Sequence, residues 1–164
     1  MTERPGGGST GAAGDEAALT PVALPRTGCI LALDIGEKRI GLALSDPDQR
    51  LAHPLGTLHR RAGRRFPLAA LRAYLKEHQP SGLLVGLPLT PEGVEDERAR
   101  AARRIGGRIA EKTGLPVAFQ DERMTTARAL RAIRELGGGL RNRKADVDPL
   151  AATTLLQSYL DTRR

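Results

Sequence analysis

The fold is organised around the sequence ILALDIGEKRIGLALSD at residues 30–46. Its first half is a continuous apolar run, which is typical of a strand buried on both faces of a sheet. The short segment Gly36-Glu37-Lys38 then requires a tight turn, and the apolar residues after it return antiparallel to the first strand. Asp34 is the only charged residue in that first strand, where a carboxylate is seldom buried without a partner.

Asp34 has two interpretations when this stretch is considered alone. Aspartate caps turns readily, so the side chain could simply stabilise the hairpin. Alternatively, it could serve chemistry at a binding site, because Gly36 would let a ligand approach the backbone closely. The two interpretations are about equally favoured until the other segments of the chain are considered.

The composition favours a single domain with a polyanionic partner. The chain has 164 residues, a formal net charge of +7 and a pI of about 10.5. These values favour nucleic acid over a membrane surface, although an arginine-rich genome would produce the same charge. Cys29 is the only cysteine, so no intramolecular disulfide is expected. Because neither a signal peptide nor a membrane-spanning run is predicted, the expected location is the cytoplasm.

The beginning of the chain differs in composition from the rest. Residues 1–26 are rich in Gly, Ala, Pro and Thr and show no apolar periodicity. Such a segment cannot bury enough apolar surface to fold, so we predict a disordered tail over residues 1–26. Residues 27–164 are predicted to form the folded domain.

Apolar periodicity and breaking residues divide the folded part into alternating strands and helices. After the hairpin, strands are predicted at residues 51–58, 83–88 and 117–120, and Pro54 suggests an edge position for the first of them. Helices are predicted at residues 66–79, 94–113 and 125–136, and a last helix begins with Asp148 as its N-cap and Pro149 as its first residue. Alternation of strand and helix requires parallel strands with right-handed crossovers. The predicted fold class is therefore α/β, a mixed sheet with helices on both faces.

Acidic residues occur where several of these segments meet. The first, fourth and fifth strands end at the same edge, where open α/β sheets bind their ligands. Asp34, the pair Asp121 and Glu122, and Asp148 would then converge. Crowded carboxylates repel each other unless cations neutralise them, and oxygen ligands on a basic protein suggest Mg²⁺ or Mn²⁺ with a phosphodiester substrate. Two such ions about 4 Å apart could activate a water and stabilise the leaving oxygen.

Each of these features also has a purely structural interpretation. Asp148 before Pro149 is a suitable N-cap. The tripeptide Asp121-Glu122-Arg123 is common in surface turns with an internal charge pair, although here it follows a buried strand. The loop at residues 86–93 resembles a phosphate cradle, but one glycine-flanked loop is weak evidence.

Four motifs in this chain have the order found in the YqgF family. They are Asp34-Ile35-Gly36…Arg39-Ile40-Gly41…Ser45-Asp46, Gly86-Leu87-Pro88-Leu89…Gly93, Asp121-Glu122-Arg123-Met124-Thr125-Thr126, and Lys144…Asp148…Ala151-Ala152. Through these motifs residues 28–161 resemble the YqgF family. Its members are small bacterial proteins described as Holliday junction resolvases and as nucleases that mature the 5′ end of the small-subunit (16S) ribosomal RNA precursor. The resemblance implies an RNase H-like fold with strand order 3-2-1-4-5.

The resemblance also implies which residues bind metal. By this likeness Asp34, Glu122 and Asp148 are the metal-binding and catalytic carboxylates. Related resolvases have an acid at the end of the fourth strand, where this chain has Gly86-Leu87-Pro88. The middle ligand is therefore expected from Asp121 or Glu122, and Glu122 is preferred.

Basic and hydroxyl residues in and beside these motifs are candidates for binding nucleic acid. They are Arg39, Arg123, Thr125, Thr126, Arg141, Arg143 and Lys144. The two threonines suit helix capping first and phosphate contacts second. Arg141, Arg143 and Lys144 could equally be solvated loop charges.

The function predicted from the sequence is a metal-dependent nuclease for structured nucleic acid, with an RNA precursor preferred over branched DNA. One alternative is a Holliday junction endonuclease, and another is a non-catalytic nucleic-acid-binding module, which the missing acid of the fourth strand motivates. An ATP-binding protein of the actin and sugar-kinase type also begins with Asp-x-Gly, but that architecture needs two such domains. The sequence leaves open whether the protein is a monomer or a homodimer.

Overall fold

The computed structural model describes residues 22–61, 65–126, 130 and 144–164, with the backbone alone for Met124 and for residues 144–148. The strands are β1 Ile30–Ile35, β2 Arg39–Ser45, β3 Ala52–His59, β4 Gly82–Leu87 and β5 Val117–Asp121. The helices are α1 Leu68–His78, α2 Glu97–Thr113 and α3 Lys144–Asp161, and a 3-10 turn, Glu122–Met124, follows β5.

The five strands form one mixed sheet in the order β3-β2-β1-β4-β5. The hairpin of β1 and β2 is antiparallel and β3 continues it, whereas β4 and β5 run parallel to β1. The carboxyl ends of β1, β4 and β5 therefore lie along one edge. The α/β class and the strand order 3-2-1-4-5 predicted above are confirmed, and so is the edge position of β3. A register shift in β2 lies next to the pairing of Ala43 with Pro54, which lacks the backbone N–H that a regular ladder uses.

Two cores cover the two faces of the sheet, because successive side chains of a strand point to opposite faces. On one face, residues such as Leu31, Leu33 and Val85 pack against α1 and α2. On the other face, residues such as Ile30 and Ala32 pack against α3. We call this second side the α3 face. Alternation from Ile30 and Ala32 puts the next residue of the row, Asp34, on the α3 face as well.

Helix α3 begins earlier than the sequence predicted. Its first residue is Lys144, so Asp148 is not the N-cap and Pro149 is the sixth residue of the helix. Proline costs no intrahelical hydrogen bond at the first position of a helix, but at the sixth it removes the bond to the carbonyl four residues earlier. Among the described residues, no helix is long and apolar enough to cross a membrane.

Helix α2 begins later than predicted. Asp96 is its N-cap, and its side chain accepts hydrogen bonds from the backbone N–H groups of Arg98 and Ala99. Val94, the first residue of the helix predicted at residues 94–113, lies outside the helix and is 60% exposed. The predicted end is confirmed, since Gly114 adopts the left-handed conformation of a C-cap.

The packed domain extends beyond the boundary predicted at residue 26. Leu24 is buried in the core on the α3 face, and its carbonyl oxygen accepts a 2.6 Å hydrogen bond from Nη2 of Arg163. The guanidinium of Arg163 also lies over the ring of Tyr159 in α3. The helix predicted at residues 125–136 lies largely outside the described residues.

The turn between β2 and β3 depends on Asp46. Its Oδ1 accepts hydrogen bonds of 2.7 and 2.8 Å from the backbone N–H groups of Arg50 and Leu51. The hydrogen bond from Leu51 is the largest of the effects that hold the pKa of the Asp46 carboxyl below its ordinary value of 3.8. Such bonds favour the charged carboxylate, so they stabilise the folded state where Asp46 is ionised.

We expect Asp46→Ala to lower the free energy of unfolding by about 1 kcal/mol at pH 7, because two backbone donors lose a charged acceptor near the surface. The folded pKa is the lower one, so this stabilisation is complete above pH 3.8 and is lost as the pH falls through the folded pKa. Urea unfolding of the wild type and of Asp46→Ala at pH 7 and pH 3 measures this stabilisation. A difference that is the same at both pH values would contradict this account.

Candidate active site

The candidate site is centred on Asp34, which lies near the carboxyl end of β1 and is only 1% exposed. Asp34 is opposite Gly41 in β2. On the other side of β1, Leu33 pairs with Val85 of the parallel strand β4. One residue further along both strands, Asp34 therefore lies beside Gly86. Both neighbours in the sheet are therefore glycines, and neither contributes a side chain next to this carboxylate.

The side chain of Glu122 occupies the space above Gly86. Glu122 is 3% exposed and begins the 3-10 turn after β5. A Cβ added to Gly86 would overlap Oε1 of Glu122 and would lie 3.1 Å from its Cδ and from Cδ2 of Leu155 in α3. Since Leu155 belongs to the core on the α3 face, the carboxylate of Glu122 lies on that face too. Asp34 and Glu122 thus lie on the same face, on either side of Gly86.

Asp121 has a different environment from Glu122. Its carboxylate accepts three hydrogen bonds of 2.8–3.2 Å from the guanidinium of Arg123, and Oδ1 also accepts 2.9 Å from the backbone N–H of Arg123. The side-chain hydrogen bonds from Arg123 are the main reason that the pKa of Asp121 lies below its ordinary value. The carboxylate is 29% exposed, so it is accessible but already engaged by a cation.

The third predicted carboxylate, Asp148, lies in the first half of α3, and its side chain is outside the described part of the chain. Position 148 precedes Ala152 by about one helical turn and Leu155 by about two. Both of these residues are fully buried against the α3 face of the sheet. Within the described part of the chain, no three His, Cys, Asp or Glu side chains are grouped so that they could hold a metal ion.

Only some of the predicted nucleic-acid-binding residues lie in the described part of the chain. Arg39 begins β2, beside the turn that follows Asp34, and is partly buried. The Thr125 hydroxyl donates a 3.1 Å hydrogen bond to the carbonyl of Glu122 at the C-terminal end of the 3-10 turn, whereas Thr126 is exposed. Arg141 and Arg143 lie outside the described residues, as does the side chain of Lys144.

Two of the described residues, Asp34 and Glu122, have the donor chemistry that a divalent cation prefers. Carboxylate oxygens are the ligands that Mg²⁺ and Mn²⁺ prefer, and Asp34 and Glu122 supply them from one buried face. Two buried carboxylates close to each other are unfavourable in the absence of positive charge. A cation would lower that electrostatic cost, and Gly41 and Gly86 add no side chain of their own beside Asp34.

Comparison with known proteins shows the family of the chain. A family model described as "RuvX: Holliday junction resolvase" matches residues 28–162. The chain belongs to the RuvX family. The predicted enzyme class, a nuclease that hydrolyses phosphodiester bonds, is confirmed by this membership. RuvX membership also supports the predicted use of a divalent metal ion and of a nucleic-acid partner.

Relatives of this RuvX protein carry a name that refers to RNA. A protein of Chloroflexus aurantiacus (strain ATCC 29366 / DSM 635 / J-10-fl) is 40% identical over 135 residues, which are 82% of this chain and 88% of the relative. One of Anaeromyxobacter sp. (strain Fw109-5) is 42% identical over 133 residues, 81% of this chain and 96% of the relative. Both are named "Putative pre-16S rRNA nuclease".

Solved structures agree with the fold. Thermus thermophilus RuvC in complex with a Holliday junction substrate superimposes with a TM-score of 0.50 at 15% sequence identity. The match covers 83% of this chain and 95% of RuvC. At this identity the likeness shows the fold alone, and it confirms the RNase H-like architecture predicted above.

The sequence reasoning missed the role of Gly86. From the sequence, Gly86 only stands where related resolvases have an acid and begins the loop that resembles a phosphate cradle. In the structure it makes room for the side chain of Glu122, which reaches back from the end of β5. The signal that could have found it is the period of two in β4, because Leu84 and Gly86 lie on the α3 face together with Asp34.

Proposed function

We propose that this RuvX-family chain is a metal-dependent nuclease that processes the 5′ end of the small-subunit ribosomal RNA precursor. Asp34, Glu122 and Asp148 would hold Mg²⁺ or Mn²⁺. The observation that carries this proposal is the burial of Asp34 and Glu122 on one face, on either side of Gly86. The RNA substrate is taken from the name shared by the relatives.

The environments of the two neighbouring acids favour Glu122 over Asp121 as the middle ligand. Glu122 lies on the α3 face with Asp34, whereas Asp121 is already paired with Arg123. When bound, divalent ions would activate a water and stabilise the leaving oxygen of the phosphodiester. The chain's own contribution is to hold the carboxylate oxygens in place in a site with little access to bulk water.

The aromatic residues suggest how the nucleic acid is bound. The chain has two Phe, two Tyr and no Trp. All four rings pack against the two cores and are partly buried. Base stacking on aromatic side chains is the usual device of proteins that bind single strands. With these rings engaged in packing and a net charge of +7, binding is expected to depend mainly on phosphate contacts.

We therefore expect the affinity for nucleic acid to fall steeply with salt. Each phosphate neutralised by Lys or Arg releases a counterion, so six contacts would reduce affinity by about a thousand-fold between 50 and 200 mM salt. Fluorescence anisotropy of a labelled RNA with the Asp34→Asn variant measures this without cleavage. An affinity that changes less than about three-fold over this range would contradict phosphate-dominated binding.

A second candidate function is cleavage of four-way DNA junctions, which the description of the matching family names. Resolution of a junction needs two coordinated cuts, and hence a homodimer, whereas trimming of an RNA end needs only a monomer. Sedimentation of the protein with each substrate would show which assembly binds it.

The deciding experiment compares the two substrates directly. Purified protein is incubated with Mg²⁺, and separately with Mn²⁺, together with a labelled ribosomal RNA precursor end or a four-way DNA junction. We expect metal-dependent cleavage of the RNA at its 5′ side and no cut in the junction. Paired symmetric cuts in the junction alone would select the second candidate. Tight binding of both with no cleavage under either ion would select the non-catalytic module instead.

A further inference from the structure

The side chain of Arg123 makes a forked contact with Asp121. Its Nε is 3.2 and 3.0 Å from the two carboxylate oxygens, and Nη2 is 2.8 Å from Oδ2. The same carboxylate accepts the backbone N–H of Arg123 and so caps the 3-10 turn. Thr125 closes the other end of the turn, where its N–H and hydroxyl both donate to the carbonyl of Glu122. The turn that carries Glu122 is therefore held at both ends.

The remaining nitrogen of the guanidinium reaches the loop between β4 and α2. Nη1 of Arg123 donates a 3.3 Å hydrogen bond to the carbonyl of Pro91. The guanidinium also lies against Gly93, since a Cβ there would be 2.8 Å from Nη1. Gly93 has a φ of +84° and closes a compact turn with Thr90 and Val94. Arg123 thus joins the end of β5 to the loop that follows β4.

We propose that Arg123 is a positioning residue that fixes the carboxylate of Glu122 through Asp121 and through this loop. The role differs from the phosphate contact predicted from the sequence, because the guanidinium is engaged with Asp121, Pro91 and Gly93. Its partner Asp121 is a positioning residue for the same reason. The inference rests on the proposed role of Glu122 as a metal ligand.

Two substitutions separate positioning from phosphate binding. Arg123→Lys keeps the positive charge but cannot bind both oxygens of Asp121 and also reach Pro91. If Arg123 binds a phosphate, lysine should replace it with little loss. If Arg123 holds Asp121 and Pro91 in place, lysine should not replace it. Asp121→Asn leaves the arginine in place and removes the charge of its partner. A phosphate contact predicts little effect of this second change on turnover.

We expect Arg123→Lys, Arg123→Gln and Asp121→Asn each to lower kcat by about 10 to 100-fold, with KM changed less than about 3-fold. The double variant of Arg123→Gln with Asp121→Asn should lose no more kcat than either single variant, because both substitutions remove the same interaction. Mn²⁺ affinity of each protein, measured by calorimetry without nucleic acid, should weaken in parallel. This readout does not depend on cleavage, so it tests Arg123 even if the proposed function fails.

A fourth single variant is a control for loss of activity through misfolding. Gly93→Ala places a methyl group 2.8 Å from Nη1 and strains the backbone at positive φ, but it leaves both charged side chains unchanged. We expect the same fall in Mn²⁺ affinity and kcat, smaller in size, with thermal unfolding still cooperative. The proposal is overturned if Asp121→Asn and Gly93→Ala keep wild-type kcat and Mn²⁺ affinity while Arg123→Gln raises KM alone. That outcome would make Arg123 a substrate contact.

Discussion

Replacing Asp34 with Asn should lower the cleavage rate by about a thousand-fold or more, equivalent to about 4 kcal/mol of transition-state stabilisation. The amide preserves the size of the side chain but supplies a neutral and weaker ligand in a position that is 1% exposed. Water is largely excluded there and cannot replace the lost charge. Single-turnover cleavage of the RNA precursor end in Mg²⁺ and in Mn²⁺ measures the effect.

The same variant should bind nucleic acid as the wild type does, because phosphate contacts come from basic residues. Asp48→Asn is the matched control, since Asp48 is exposed in the turn between β2 and β3, away from the carboxyl edge of β1. It removes one carboxylate and should leave the rate unchanged. Wild-type cleavage by Asp34→Asn would show that the assignment of Asp34 is wrong. Equal losses in both variants would show that net charge is responsible.

Gly86→Ala should lower cleavage by about a hundred-fold while the domain remains folded. The added methyl group would overlap Oε1 of Glu122 and come within 3.1 Å of Cδ2 of Leu155. The carboxylate is at the end of a flexible side chain, so it can move aside, and we expect overpacking to cost only about 1 to 2 kcal/mol of stability. However, a carboxylate that has moved no longer occupies the space above Gly86 on the face that Asp34 shares. Cleavage assays and urea unfolding of the same preparation measure the two effects.

Gly114→Ala is the control for this substitution. It is the same chemical change at a position where no atom lies within 4 Å of the added Cβ, although φ is +72°. It should reduce stability by about 1 kcal/mol through backbone strain and leave the cleavage rate at the wild-type level. If Gly86→Ala retained full activity, Glu122 would not need its present position, and its proposed role as a ligand would fail.

Much of the architecture could be predicted from local patterns. The apolar run before Asp34, the tight turn at Gly36 and the alternation of strands with helices predicted the sheet and its order, which the structure confirms. These features follow from steric and hydrophobic rules that act over a few residues, so they can be predicted from a single sequence. Helix ends were less accurate, since α3 begins four residues before Asp148 and α2 begins at Glu97.

The sequence by itself determined which carboxylates are available at the carboxyl edge of the sheet. It did not determine where the carboxylate of Glu122 lies, because Asp121 is the last residue of β5 and Glu122 begins the 3-10 turn, where the alternation of the strand no longer holds. Only the tertiary structure turned Glu122 toward the space above Gly86, whereas the pairing of Asp121 with Arg123 is a local contact that the sequence already suggested. The contact between Glu122 and Gly86 joins residues far apart in the chain, and no local propensity specifies it. Packing of β4, β5 and α3 around a glycine therefore decided where on the α3 face the carboxylate of Glu122 lies.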